Sequence, residues 1–193
     1  MHRRHFITAT IAGTLFPGFV RAQQPLRATP RDYTGPFYRV GERHRTNDLL
    51  SGDPDGKVLN LQGQILTKNG LPLKNSLIEI WQTDPEGRYN HPRDTPASEL
   101  RNDFLYYGEA VSDNDGGFTF RTYVPGAYGS RPAPHIHYKL WSNRVLKLTS
   151  QIYFHELGGP KGRARSRQAK ELQTFHLIEG EPERFTSQVT IVV

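Results

Sequence analysis

The sequence predicts an all-β protein, a β-sandwich with long loops and an N-terminal arm. Three observations predict it. Short stretches alternate apolar and polar residues, most clearly Val58-Leu59-Asn60-Leu61-Gln62-Gly63-Gln64-Ile65-Leu66, as a half-buried strand requires. Turn signals built from Gly, Asn, Asp and Pro separate seven or eight such stretches, and the chain carries 18 Gly and 14 Pro, which suits many short strands. Ten Phe, nine Tyr and two Trp among 193 residues supply large side chains for one core. No internal repeat and no second domain are visible.

Residues 1–22 stand apart from the fold. Arg3-Arg4-His5-Phe6-Ile7 precedes a moderately apolar run from Phe6 to Val20, and Val20-Arg21-Ala22 places small residues at −3 and −1 before Gln23. This pattern reads as an export signal of the twin-arginine type, so the expected location is outside the cytoplasm, in the periplasm. The run is too short and too interrupted by Thr, Gly and Pro to insert stably in a membrane. Its removal takes Arg3, Arg4 and Arg21 and no acid, so the formal charge falls from +6 to +3. The densest basic run, Lys161 to Arg167, has no interleaved aromatics. A nucleic-acid partner is therefore not expected. The chain has no cysteine, so its fold does without disulfides.

Residues 23–57 are rich in Pro, Arg and Asp and show little periodicity, so they form an extended arm before the domain of residues 58–193. Val58 to Leu66 is the first strand, with Lys68-Asn69-Gly70 as a hairpin turn. Ser76 to Gln82 is the next strand, Asp84 to Arg88 a turn, and Tyr89 opens a loop to about Asp103. Tyr107–Ser112 and Gly117–Tyr123 form a hairpin around Asn114-Asp115-Gly116. His135–Ser142 and Leu146–Phe154 are strands, Ser166–Leu172 is a short helix, and Thr186–Val193 is the terminal strand. His176 falls in a further strand with a structural role, and Trp81 belongs to the core.

The chemistry concentrates in His135-Ile136-His137. On a strand the two imidazoles share one face, and two neutral imidazoles can bind one transition metal. Alone the tripeptide is weak, because one histidine is commonly buried and hydrogen-bonded while the other is incidental. Tyr89 and Tyr128 each lie in a Gly- and Pro-rich turn context. With no cysteine available, oxygen must complete a site. If tyrosine supplies it as phenolate, the ion is a hard trivalent one, with Fe(III) the first candidate.

Four segments then carry a resemblance. Thr34-Gly35-Pro36-Phe37-Tyr38; Ile80-Trp81-Gln82-Thr83-Asp84-Pro85-Glu86-Gly87-Arg88-Tyr89; Gly108 through Tyr128; and His135-Ile136-His137 with Ser150-Gln151-Ile152-Tyr153-Phe154 resemble, in order, the intradiol ring-cleavage dioxygenases. That is the non-haem ferric family that opens catechols between their two hydroxyls. The resemblance spans Thr34 to Phe154 and fades afterwards. It implies the transthyretin-like sandwich of that family, a catechol-type substrate, O2, and a cis,cis-muconate-type product. It implies Tyr89, Tyr128, His135 and His137 as ligands of Fe(III), with Tyr128 favoured over Tyr89 as the tyrosinate that leaves when substrate binds. It also implies Arg131 and Gln151 beside the bound ring, Arg131 against developing charge and Gln151 as an orienting group. Arg131 lies four residues before His135, one more than in familiar members, because Pro134 intervenes. Tyr38 would line the pocket or anchor the arm. Familiar members are oligomers, so the arm would pack on a neighbour in a homo-oligomer or on its own domain. Arg88, Arg93, Arg101 and Arg131 would suit a carboxylated catechol, or lie on the surface.

Two other readings stand beside this one. Val58 to Tyr89 also resembles transthyretin-like sandwiches that serve as non-catalytic binding modules, but such a module has no need of Tyr89, Tyr128, His135 and His137 together. A Zn- or Cu-binding exported protein would favour a carboxylate or thiolate over two tyrosines.

Overall fold

The alternation that begins at Val58 becomes β1, Val58–Leu66, at the centre of one of two sheets in the computed structural model, which describes residues 24–41, 45–94, 99–129, 133–160 and 166–193. The other strands are β2 Leu77–Trp81, β3 Tyr107–Val111, β4 Gly117–Tyr123, β5 His135–Ser142, β6 Val145–Phe154, β7 Thr174–Phe175, β8 Ile178–Glu181 and β9 Arg184–Val192, with α1 at Arg167–Glu171. Among the described residues one sheet has the order β4-β1-β9-β8 and the other β3-β2-β5-β6-β7. The pairs β1–β9 and β6–β7 are parallel and the rest antiparallel. The all-β sandwich is therefore present.

The core fills the space between the sheets. Leu59, Leu61 and Ile65 of one sheet and Ile78, Ile80, Ile136 and Leu140 of the other are fully buried there. Period two sends the alternate side chains of β5 outward, so His135 and His137 face away from that core. They are buried nonetheless, because the arm and two loops cover the outer face. The arm lies on its own domain: Thr29 N–H donates to Val192, Asp32 N–H to Thr149 and Leu26 N–H to Lys68.

Several expected connections differ. The Thr67–Gly70 turn forms, with Gly70 N–H donating to Thr67, and closes a short antiparallel return in which Leu66 bridges Pro72 and Leu73 N–H donates to Ile65, before the chain crosses to the other sheet. The turn at Asn114-Asp115-Gly116 likewise joins strands of different sheets, since β3 pairs with β2 and β4 with β1. A true hairpin joins β5 to β6 through Asn143 and Arg144, both left-handed at φ 52° and 64°. The expected helix appears between its caps: Ser166 accepts from Ala169 N–H and Leu172 closes the end. His176 follows β7 and is exposed, with Nδ1 2.8 Å from Glu156 Oε1. The export signal, Arg131 and most of the Lys161–Arg167 run lie outside the described residues. Among the described residues no helix is long and apolar enough to cross a membrane.

Candidate metal centre

His135 and His137 stand side by side on β5, where strand pairing sets their neighbours. His137 is opposite Trp81 of β2 and Gln151 of β6, and His135 is opposite Tyr153. Trp81 stacks on His137, with rings 5.0 Å apart and 5° from parallel. It therefore serves the outer face, in a small cluster with Tyr89 and Tyr107, and not the inter-sheet core. On the other side Gly35 presses its backbone on the same imidazole; a Cβ there would lie 2.9 Å from His137 Cε1, at a φ of +74°. Flat faces on both sides fix this ring.

The His135 ring is fixed by a hydrogen bond. Its Nδ1 is 2.8 Å from the carbonyl of Ala133. A carbonyl only accepts, so Nδ1 carries the proton and Nε2 carries the lone pair. That Nε2 lies 3.1 Å from Nε2 of His137. Without a cation, His137 would have to donate its proton there. A metal ion lets both nitrogens present lone pairs, since two bonds of about 2.1 Å meeting near a right angle span about 3 Å. Both histidines are at most 2% exposed.

Two phenols flank the pair. The Tyr128 ring is 5.6 Å from His135, the Tyr89 ring 6.4 Å from His137, and the two tyrosines meet edge-on at 5.1 Å. The Tyr128 hydroxyl is buried and makes no hydrogen bond to any described residue. Such an atom wants a partner. A third phenol, Tyr153, is 5.4 Å from His135, but its hydroxyl is engaged by Gln151 and Asp32. Among the described residues no three His, Cys, Asp or Glu side chains gather as a metal group. The donor set here is thus two imidazoles and two phenols, which fits a hard trivalent ion better than zinc.

Local structure explains how the tyrosines arrive. Asp84 takes Arg88 N–H on one carboxylate oxygen and the Tyr106 hydroxyl on the other, each at 2.8 Å. Burial pushes its carboxyl above the usual range. Asp94 Oδ2 accepts both Tyr89 N–H and Arg88 Nε, each at 2.9 Å. The Tyr128 loop is tied to the same turn: Gly126 N–H donates to Asp84 O, and Thr83 Oγ1 donates to Gly126 O. A Cβ on Gly87 would collide with the carbonyl of Ala127, and one on Gly126 with that of Pro85. Asp94, Gly87, Gly126, Phe37 and the stacking role of Trp81 escape a sequence reading. The Gly- and Pro-rich turns before Tyr89 and Tyr128 are the local signals. Phe37 sits 4.5 Å from Tyr89 and 5.6 Å from Tyr128.

The remaining expectations resolve as follows. Gln151 donates to Tyr33 O at 2.8 Å and accepts from Tyr153, so both ends of its amide meet protein. Tyr38 anchors the arm: its ring lies on Trp81 and its hydroxyl donates to Glu79. His91 packs on Phe37 and does not join the pair; burial and the nearby Arg93 and Arg39 lower its pKa. His155 stacks on His176 instead. Arg88 pairs with Asp94, Arg101 with Asp103, and Arg93 donates to Pro36 O.

Comparison with known proteins finds a matching family. Residues 33–158 match the model of the Dioxygenase family, Dioxygenase_C. The chain is 32% identical over 150 residues to the protocatechuate 3,4-dioxygenase beta chain of Burkholderia cepacia, covering 71% of this chain and 64% of that one. It is 32% identical over 148 residues to a catechol 1,2-dioxygenase of Acinetobacter baylyi, covering 65% of this chain and 46% of that one. It thus spans about half to two thirds of the length of these relatives. The dioxygenase domain of a dioxygenase–carbohydrate-binding fusion from Streptomyces sp. SirexAA-E superposes with a TM-score of 0.67 at 25% identity, over 86% of this chain and 98% of that one. A 3-chlorocatechol 1,2-dioxygenase of Rhodococcus opacus shares the fold, with a TM-score of 0.68 at 21% identity, over 89% of this chain and 73% of that one.

Proposed function

Because the chain belongs to the intradiol dioxygenase family, we propose that it is an exported ferric enzyme that opens a catechol-type ring between its two hydroxyls with O2, yielding a cis,cis-muconate-type product. One observation carries this reading: the two Nε2 atoms 3.1 Å apart, flanked by two tyrosines. Tyr89, Tyr128, His135 and His137 would hold Fe(III), which supplies Lewis-acid and templating chemistry when bound.

The protein groups divide the remaining work. The Ala133 carbonyl keeps the His135 proton on Nδ1, so this imidazole stays a neutral donor through Nε2. A phenol loses its proton near pH 10 in water, and a bound cation favours the anion far below that. Tyr89 is buried and its backbone is pinned by Asp94. Tyr128 is half-buried, between exposed Ala127 and exposed Gly129. Tyr128 is therefore the phenol able to swing out, its oxygen taking a proton from one catechol hydroxyl as substrate enters. Phe37 and Trp81 keep water from the histidines. Arg131 would face the negative charge that develops on the ring. Gln151 acts as a positioning residue, setting the arm over the site through Tyr33. Residues 1–22 would send the protein to the periplasm by the twin-arginine route.

The first experiment is a visible spectrum of purified protein, with and without catechol. The expected result is a broad tyrosinate-to-iron charge-transfer band that shifts on adding catechol, followed by O2 uptake. Tyr89→Phe and Tyr128→Phe should each weaken the band with the fold retained. A protein that stays colourless after Fe(III) reconstitution would leave only a non-catalytic binding module.

A further inference from the structure

The outer face that carries His135 and His137 continues along β5 to Lys139 and Trp141, at the same period-two positions. Trp141 is four residues from His137, about 13 Å along the strand. There a separate cavity of about 580 Å³ is lined by Asn75, Leu77, Glu79, Trp141, Asn143 and Arg144. Tyr38 and Lys139 lie between it and the metal centre; Lys139 Nζ is 3.3 Å from the Tyr38 ring centroid.

Two features mark this cavity as more than a crease. Glu79 is buried, and its Oε2 accepts the indole N–H of Trp141 at 3.0 Å and the Tyr38 hydroxyl at 3.2 Å. The indole is thereby held in one orientation. Three lining residues, Asn75, Asn143 and Arg144, are left-handed, at φ 52°, 52° and 64°. Asn is at home on such a backbone, but Arg144 holds the second position of the β5–β6 hairpin, where glycine is favoured. Together these positions carry two amides and a guanidinium. All three are exposed, and their side chains make no hydrogen bond to any described residue.

We propose that this cavity is a second binding site, for the pyranose rings of a neutral oligosaccharide. A pyranose offers an apolar C–H face and a rim of hydroxyls. The fixed Trp141 and Leu77 suit the face, and planar amides and a guanidinium can each bridge two neighbouring hydroxyls. A plain aromatic acid would fill the indole face but leave the amides unused. The site is independent of the ring-cleavage chemistry and would tether the protein to a polysaccharide surface.

The test is calorimetric titration of the purified full chain with cellopentaose and xylopentaose, with ferulate as the aromatic control. Wild type should bind at least one oligosaccharide saturably. The double variant Asn75→Gly with Arg144→Gly should bind about tenfold more weakly or worse, while its Tm stays close to wild type because glycine adopts the same left-handed backbone. Trp141→Ala should also lose binding. Absence of saturable binding to either oligosaccharide would overturn the proposal. So would equal binding by the double variant, or binding of ferulate alone.

Discussion

Gly87 and Ala127 meet backbone to backbone, with no room for a Cβ between them. This contact sets the distance between the Tyr89 loop and the Tyr128 loop, which come from different parts of the chain. The proposed metal centre would need its ligands placed to a fraction of an ångström, and this glycine does part of the placing.

Gly87→Ala should therefore harm the site and the fold together. The residue is left-handed, at φ 86°, and faces a carbonyl that cannot move without shifting Tyr128. A loss of about 2–4 kcal/mol is expected from the combined strain and clash. Denaturant melts would measure it, and iron content would fall in parallel. A variant with wild-type stability and iron content would show that the two loops are placed by other means.

Asp94→Ala removes one oxygen that serves both Tyr89 N–H and Arg88 Nε. Arg88 is only 8% exposed and would be left without its carboxylate. The expected loss is about 3 kcal/mol. Asp94→Asn keeps an acceptor and should recover part of the iron affinity. Equal iron binding by Asp94→Ala and wild type would remove Asp94 from the placement of Tyr89.

Gly35→Ala tests the arm. The new methyl would push on His137 at 2.9 Å and would also demand a left-handed backbone from alanine. Iron affinity should fall, with the sandwich itself little changed because residue 35 lies outside both sheets. Far-ultraviolet circular dichroism and metal content separate the two effects.

Asp103 offers a pH test remote from the proposed metal centre. Its carboxylate takes both prongs of Arg101 at 2.9 Å and the Tyr123 hydroxyl at 2.6 Å. The Arg101 hydrogen bonds hold its carboxyl below the ordinary 3.8, against the opposing effect of burial. The same cluster pushes the Tyr123 phenol up to about 12, mainly through burial. A depressed folded value means the stabilisation is full above the unfolded value and is lost as pH falls through the folded one. Asp103→Asn should cost about 1–2 kcal/mol near neutrality. The gap from wild type should narrow steadily below about pH 4. A gap that is constant down to pH 2 would show that the effect is packing and not charge.

Much of this was legible in the sequence because it is local. Strand β1 spans the alternating stretch from Val58 to Leu66, α1 lies within the Ser166–Leu172 stretch expected to be helical, and the histidine pair shares a face as period two demands. Pairing partners were not legible. Asn114-Asp115-Gly116 announces a reversal, but not that the reversal crosses from one sheet to the other. β8, with Ile178-Glu179-Gly180-Glu181 wholly exposed, has no apolar face to announce it. Trp81 looked like core because it is apolar and buried, yet it is buried on the outer face, under the arm. The locks on Tyr89 and Tyr128 are contacts between distant backbones, and no spacing in the sequence encodes them.

The arm's attachment has a consequence for the order of assembly. Thr29 N–H waits on the carbonyl of Val192, and β1 waits on β9 for its parallel neighbour. Both partners leave the ribosome long after β5 has emerged. During synthesis the stretch of arm over the two imidazoles can be fastened by β6 first, through Asp32 and Tyr33, and the Thr29 contact to β9 comes last. Any delay in making β9 lengthens the interval in which the arm is held by β6 alone.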